Sequence, residues 1–98
     1  MFPITRFRVE DQSMEPTLSP GDYVLVNRWA SRFSKGDLVV LRDPEGASSV
    51  LVKRVADITT SGACFVVGDN ATASRDSRAF GAVPRDLIVG RVWRQVRP

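Results

Sequence analysis

Turn signals recur at short intervals along this chain: "SPGD" at 19–22, "SKGD" at 34–37, "DPEGAS" at 43–48 and "TTSG" at 59–62. The segments between them are too short for long helices, and none keeps a 3.6-residue apolar period over three turns. They read instead as strands at 5–9, 22–28, 37–42, 49–57, 63–67 and 87–96. So many short strands predict a mostly β fold with little helix, built as a small curled sheet or a partly open barrel. The linker 27–33 has room for one helical turn. One long connection, "GDNATASRDSRAFGAVP" at 68–84, exceeds the roughly 12 residues that a compact domain tolerates without a purpose.

Composition narrows the class. The 98 residues, 43% apolar and 26% charged, suit one small folded domain spanning 1–98. Uninterrupted apolar runs such as "YVLV" and "ACFVV" fall far short of the about 20 residues of a membrane helix. The N-terminus lacks the apolar stretch of a signal peptide. No transmembrane anchor is therefore expected, and the default location is cytoplasmic. Cys64 is the single cysteine, so no internal disulfide forms, and a buried strand thiol is its plain reading. The net charge is +3, with Arg6 and Arg8 near one end and Arg91, Arg94 and Arg97 near the other. These ends suit a solvated surface, peripheral contact with an anionic membrane, or nucleic acid. The aromatics do not interleave with the arginines as a base-stacking platform would require, so no nucleic-acid partner is expected.

Two absences bear on chemistry. The chain has no histidine, which removes the commonest general base and most zinc sites. Neither a metal nor a cofactor is expected. Only Lys35 and Lys53 are lysines, and arginine does not deprotonate. A nucleophilic serine in need of an amine base thus has two candidates. Lys35 lies in the turn signal "SKGD" and is solvated. Lys53 lies in "VLVKRVA", where strand alternation places it with Leu51 and Val55 on one face, and Val52, Arg54 and Ala56 on the other. A lysine with an ordinary pKa near 10.4 is neutral in only about one molecule in 2,500 at pH 7. Desolvation among aliphatic neighbours is a way to raise that fraction; the alternative is a lysine whose head reaches water.

Ser13, in "DQSMEPTL", reads by itself as a turn or cap serine ahead of Pro16. The 68–84 stretch reads as a loop held by Asx turns, with Asp76 and Arg78 as a surface ion pair, or as a scaffold whose Ser74 or Ser77 hydroxyl orients an amine.

Taken in order, "SMEPTL" at 13–18, "GDYVLV" at 21–26, "KGDLVVLRDP" at 35–44, "VKRV" at 52–55 and "GDNATASRDSRAFGAV" at 68–83 resemble the successive boxes of the type I signal peptidase family. The likeness runs from about Val9 to Gly90. It implies a mostly antiparallel β assembly and a serine endopeptidase with a Ser-Lys dyad. Ser13 would be the nucleophile, Lys53 the general base, Ser74 the residue that orients the lysine, Asp76 and Arg78 the scaffold of the loop, and Met14 and Pro16 contacts for substrate. It also implies that Ser13 Oγ and Lys53 Nζ meet within hydrogen-bond reach, directly or after a small adjustment.

Two departures stand out. The family usually begins with a membrane-spanning segment, and here little precedes the serine. Two positions before the serine, where the family often has a small residue or a serine assisting the oxyanion hole, stands Asp11. A carboxylate aimed at an oxyanion opposes the reaction, so Asp11 must turn away, be neutral, or mark an altered site. In its shortness and intact dyad the chain is similar to the small maturation proteases paired with nickel-containing superoxide dismutase. That likeness implies removal of a flexible N-terminal leader from the dismutase precursor, with nickel belonging to the substrate. General leader processing of the signal peptidase kind, a non-catalytic basic β-barrel, and a fragment of a self-cleaving repressor are the alternatives.

Overall fold

Each alternating segment forms a strand. In the computed structural model, which describes residues 3–46 and 48–97, these are β1 (Ile4–Arg8), β2 (Tyr23–Asn27), β3 (Leu38–Arg42), β4 (Val50–Ile58), β5 (Cys64–Val67) and β6 (Ile88–Val96). Ala47, inside the turn signal at 43–48, lies outside the described residues. All pairings are antiparallel, in one open sheet of order β1-β2-β6-β3-β4-β5. The last strand therefore enters the middle and joins the hairpin β1–β2 to the meander β3–β4–β5. Register shifts at Leu25/Val26, Val40/Leu41 and Val55/Asp57 mark bulges that bend the sheet.

The bend creates two apolar clusters, one on each side of β3. Val39 and Leu41 pack with Val55, Cys64, Val66, Val83 and Ile88. Val40, from the opposite face, packs with Val9, Met14, Leu18, Val24 and Val26. Burial on both faces explains why β3 reads as an unbroken apolar run, "LVVL".

Two connections differ from their sequence reading. Residues 28–29 make a turn, and no helical turn forms in the 27–33 linker. The long loop carries a 3-10 turn at Ala71–Ala73 and one short helix, α1 (Ser77–Phe80). Asp76 starts that helix, its side chain accepting the Arg78 N–H at 3.1 Å. Four residues are too few to leave a helical period in the sequence.

Candidate functional site

Alternation along β4 sends Lys53 and Val55 inward, and Lys53 is 1% exposed. Its Nζ donates to Ser74 Oγ at 3.0 Å, and Ser74 Oγ donates in turn to Asp76 Oδ2 at 2.7 Å. Burial lowers the Lys53 pKa below the ordinary lysine value, and Arg75 and Arg78 push the same way; Asp11 and Asp76 oppose them without reversing the shift.

Asp76 is the anchor of this side. It is 1% exposed, and besides Ser74 its carboxylate accepts the Gly68 N–H at 2.9 Å, the Arg78 N–H and the Arg78 guanidinium. Burial by itself would raise its pKa. The guanidinium and the donated hydrogen bonds outweigh burial and hold the carboxyl far below the usual carboxylate range. Ser77 does a different job from Ser74: its Oγ accepts the Val66 N–H at 2.8 Å and ties α1 to β5. Arg75 reaches the β3–β4 turn, where it pairs with buried Asp43 and with Glu45. That guanidinium holds Asp43 below the usual carboxylate range.

The serine sits in the loop that joins β1 to β2. The Val9 N–H to Asp22 bond and the Gly21 N–H to Val9 bond close this loop, and Gly21 has φ +93°, where glycine is favoured. The residues after β5 then zip along it. Asn70 N–H donates to the Ser13 carbonyl at 2.8 Å, and Asn70 Nδ2 to the Gln12 carbonyl at 3.0 Å. Thr17 Oγ1 donates to Asp69 at 2.6 Å, and Arg54, on the other face of β4, grips the same carboxylate through Nε and Nη2. Gly68 is the tightest point. A Cβ built there would lie 2.2 Å from Ser74 Oγ and 2.6 Å from the Ser13 carbonyl, so the serine loop and the lysine's partner share one gap that only glycine fits.

Ser13 is itself buried, 3% exposed. Its Oγ donates to Asp11 Oδ1 at 2.9 Å rather than to Lys53, and its N–H donates to the same oxygen at 3.0 Å. Asp11 therefore does not turn away from the serine. A cleft of about 60 Å3 opens beside it, lined by Val9, Asp11, Met14, Leu51 and Val52 among others. Met14 is part of the core at 1% exposure, its sulfur accepts the Asp69 N–H, and it also walls this cleft; Pro16 is exposed. Among the described residues no group of three or more histidine, cysteine, aspartate or glutamate side chains is arranged to hold a metal.

The open antiparallel sheet thus carries a buried serine and a buried lysine, each beside the loop that follows β5. The model of the family described as "Signal peptidase, peptidase S26" matches residues 1–59 and 57–96. The chain belongs to that family. It is 39% identical to mitochondrial ATP-independent inner membrane protease subunit 1b of Arabidopsis thaliana, over 84% of this chain and 64% of that protein. It is 31% identical to mitochondrial inner membrane protease subunit 2 of Danio rerio (93% and 68%) and 32% identical to subunit 1 of Homo sapiens (88% and 65%). The chain spans about two thirds of the length of these curated relatives.

These relatives overturn the cytoplasmic expectation. They are named for the mitochondrial inner membrane, which points to membrane association. The apolar-run argument counted only spanning helices, and indeed no helix among the described residues is long and apolar enough to cross a membrane. It has no bearing on a domain that works at a membrane surface.

Proposed function

We propose that the chain, acting as one catalytic domain over 1–98, is a serine endopeptidase that removes N-terminal leaders from precursor proteins, with Ser13 as nucleophile and Lys53 as base. The observation that carries the reading is a lysine at 1% exposure whose Nζ is fixed by Ser74 beside the serine loop. Burial that lowers the amine's pKa favours the role of a base over that of a counter-ion.

The steps balance on these atoms. Neutral Lys53 takes the Oγ proton as Ser13 Oγ bonds to the scissile carbonyl carbon. The Ser13 N–H supports the oxyanion once it is free. The ammonium gives its proton to the departing amine as the C–N bond breaks, leaving an acyl ester on Ser13. Lys53 then deprotonates a water whose oxygen bonds to the ester carbonyl carbon, and the ammonium returns that proton to Ser13 Oγ as the C–Oγ bond breaks. Ser74 orients the amine, Asp76 orients Ser74, and Arg78 keeps Asp76 ionised. The small cleft suits a small side chain just before the cut, from a leader lying extended along it.

For the substrate, leader processing is the level that family membership supports. The precursor of nickel superoxide dismutase is the finer candidate, resting on the likeness to the small maturation proteases with an intact dyad; the membrane protease relatives lend it no support. The experiment mixes the purified chain with that precursor and, separately, with a leader-bearing precursor of a membrane-sorted protein, and sequences the new N-termini. Cutting of the dismutase precursor at one site supports the finer reading. Cutting of the other precursor alone removes the dismutase and keeps the peptidase. Equal processing by Ser13→Ala would end the serine mechanism altogether.

A further inference from the structure

The dyad makes no use of the contact that Asp11 offers. Asp11 Oδ1 accepts both the Oγ–H and the N–H of Ser13. Acyl transfer needs both groups elsewhere: the hydroxyl proton must face the base, and the amide must face the oxyanion. Asp11 is also exposed and lines the cleft beside Val9 and Met14, so it sits where an incoming substrate strand would press. A solvent-facing aspartate changes rotamer without disturbing the core.

We propose that Asp11 is a positioning residue that parks Ser13 in the resting enzyme, holding its hydroxyl and its amide until substrate in the cleft displaces the carboxylate and frees Oγ–H to turn to Lys53. The proposal rests on the reading of Ser13 and Lys53 as nucleophile and base.

The same carboxylate acts on the base through space. The charged groups facing Lys53 are Asp11 from the loop after β1, and Asp76, Arg75 and Arg78 from the segment after β5; Asp43, in the β3–β4 turn, also feels the lysine. An anionic Asp11 favours the ammonium, so its loss makes the neutral amine easier to reach. Asp11→Asn keeps an oxygen acceptor near Ser13 and removes the charge. Asp11→Ala removes both.

The test is the pH profile of kcat/KM for the native chain, Asp11→Asn and Asp11→Ala on a leader peptide that the native chain cuts, each repeated with Ser13→Ala. Both Asp11 variants should move the acid limb to lower pH. Only Asp11→Ala should also raise kcat/KM on the plateau, by about tenfold for the hydrogen bonds no longer broken on binding, and the gain should appear as a lower KM with kcat little changed. A limb that stays in place in both variants, or a fall in kcat/KM for Asp11→Ala, overturns the proposal while leaving the dyad intact, provided the Ser13→Ala forms are inactive. Activity surviving Ser13→Ala overturns the dyad reading and this proposal together.

Discussion

Lys53 stands between two walls that are built differently. On one side buried Lys53 and buried Asp76 are matched through half-buried Ser74: Nζ to Ser74, Ser74 to Asp76, and Asp76 to Gly68 and to the exposed Arg78. On the other side the Ser13 backbone is clamped by Asn70, yet its hydroxyl is held by an exposed carboxylate. The contrast assigns the two sides separate tasks. In the proposed mechanism the base is fixed, because a lysine has four side-chain torsions and loses its aim easily. The nucleophile needs to turn about a single torsion, so its movement costs little.

The strongest way to break this comparison is to change the base. Lys53→Arg keeps a cation but cannot deprotonate, and kcat/KM should fall by about 10²–10⁴-fold, the usual worth of a general base. Lys53→Met, which removes the charge and fits the same space, should be equally inactive and should fold, as circular dichroism will show. Substantial turnover by Lys53→Met would make the buried lysine structural.

Next comes the gap the two walls share. Gly68→Ala places a methyl against Ser74 Oγ and the Ser13 carbonyl and must push them apart. A misplacement of about 1 Å costs as much as 100-fold in rate. The loss should appear in kcat, and activity within twofold of native would show that the walls do not share that gap.

The matched wall is sharpened by acid. Folding holds Asp76 ionised well below the usual carboxylate range, so as the pH falls the unfolded chain takes up its proton first. The stability this supplies is complete above about pH 5 and declines as the pH drops through and below the reference value near 3.9. Asp76→Asn leaves one buried donor facing another and should cost about 1–3 kcal/mol at neutral pH. Thermal melts from pH 7 to pH 2 should show the native midpoint falling toward that of Asp76→Asn; parallel curves would remove Asp76 from the anchor role.

The smallest effect belongs to the other lysine. Lys35 lies 3.6 Å from Asp57 with its side chain 72% exposed. Lys35→Ala should change stability by less than about 1 kcal/mol and leave turnover alone, as a denaturant titration and an activity assay will show. A lost activity would mean that exposure does not separate the two lysines.

The parts of this architecture visible in the sequence are those written in local pattern. Period-two alternation located the strands to within a residue or so, and put Lys53 and Val55 on the buried face of β4. Two lysines and no histidine left Lys53 as the one candidate base outside a turn. What stayed hidden depends on partners distant in the chain. Thr17 and Asp69 are 52 positions apart, and Arg54 and Asp69 are 15 apart, so alternation placed Arg54 on the far face of β4 without showing that it grips the loop. Nothing local marks Arg75, which the fold sets against Asp43 in the β3–β4 turn. Asp76 read equally well as half of a surface ion pair; its burial follows from the return of the loop under Gly68, which no local pattern records. Asp11 was legible as a conflict with an oxyanion, but its grip on Ser13 is a matter of rotamer.

The central claim is that Lys53 gives up its proton more readily than an ordinary lysine because the fold has taken it out of water. A side-chain 15N NMR titration of Lys53 in the native chain, with Lys53→Met to assign the signal, measures this without any substrate. The account predicts an ionisation below the reference of about 10.4. A Lys53 signal that titrates at or above that reference would contradict it.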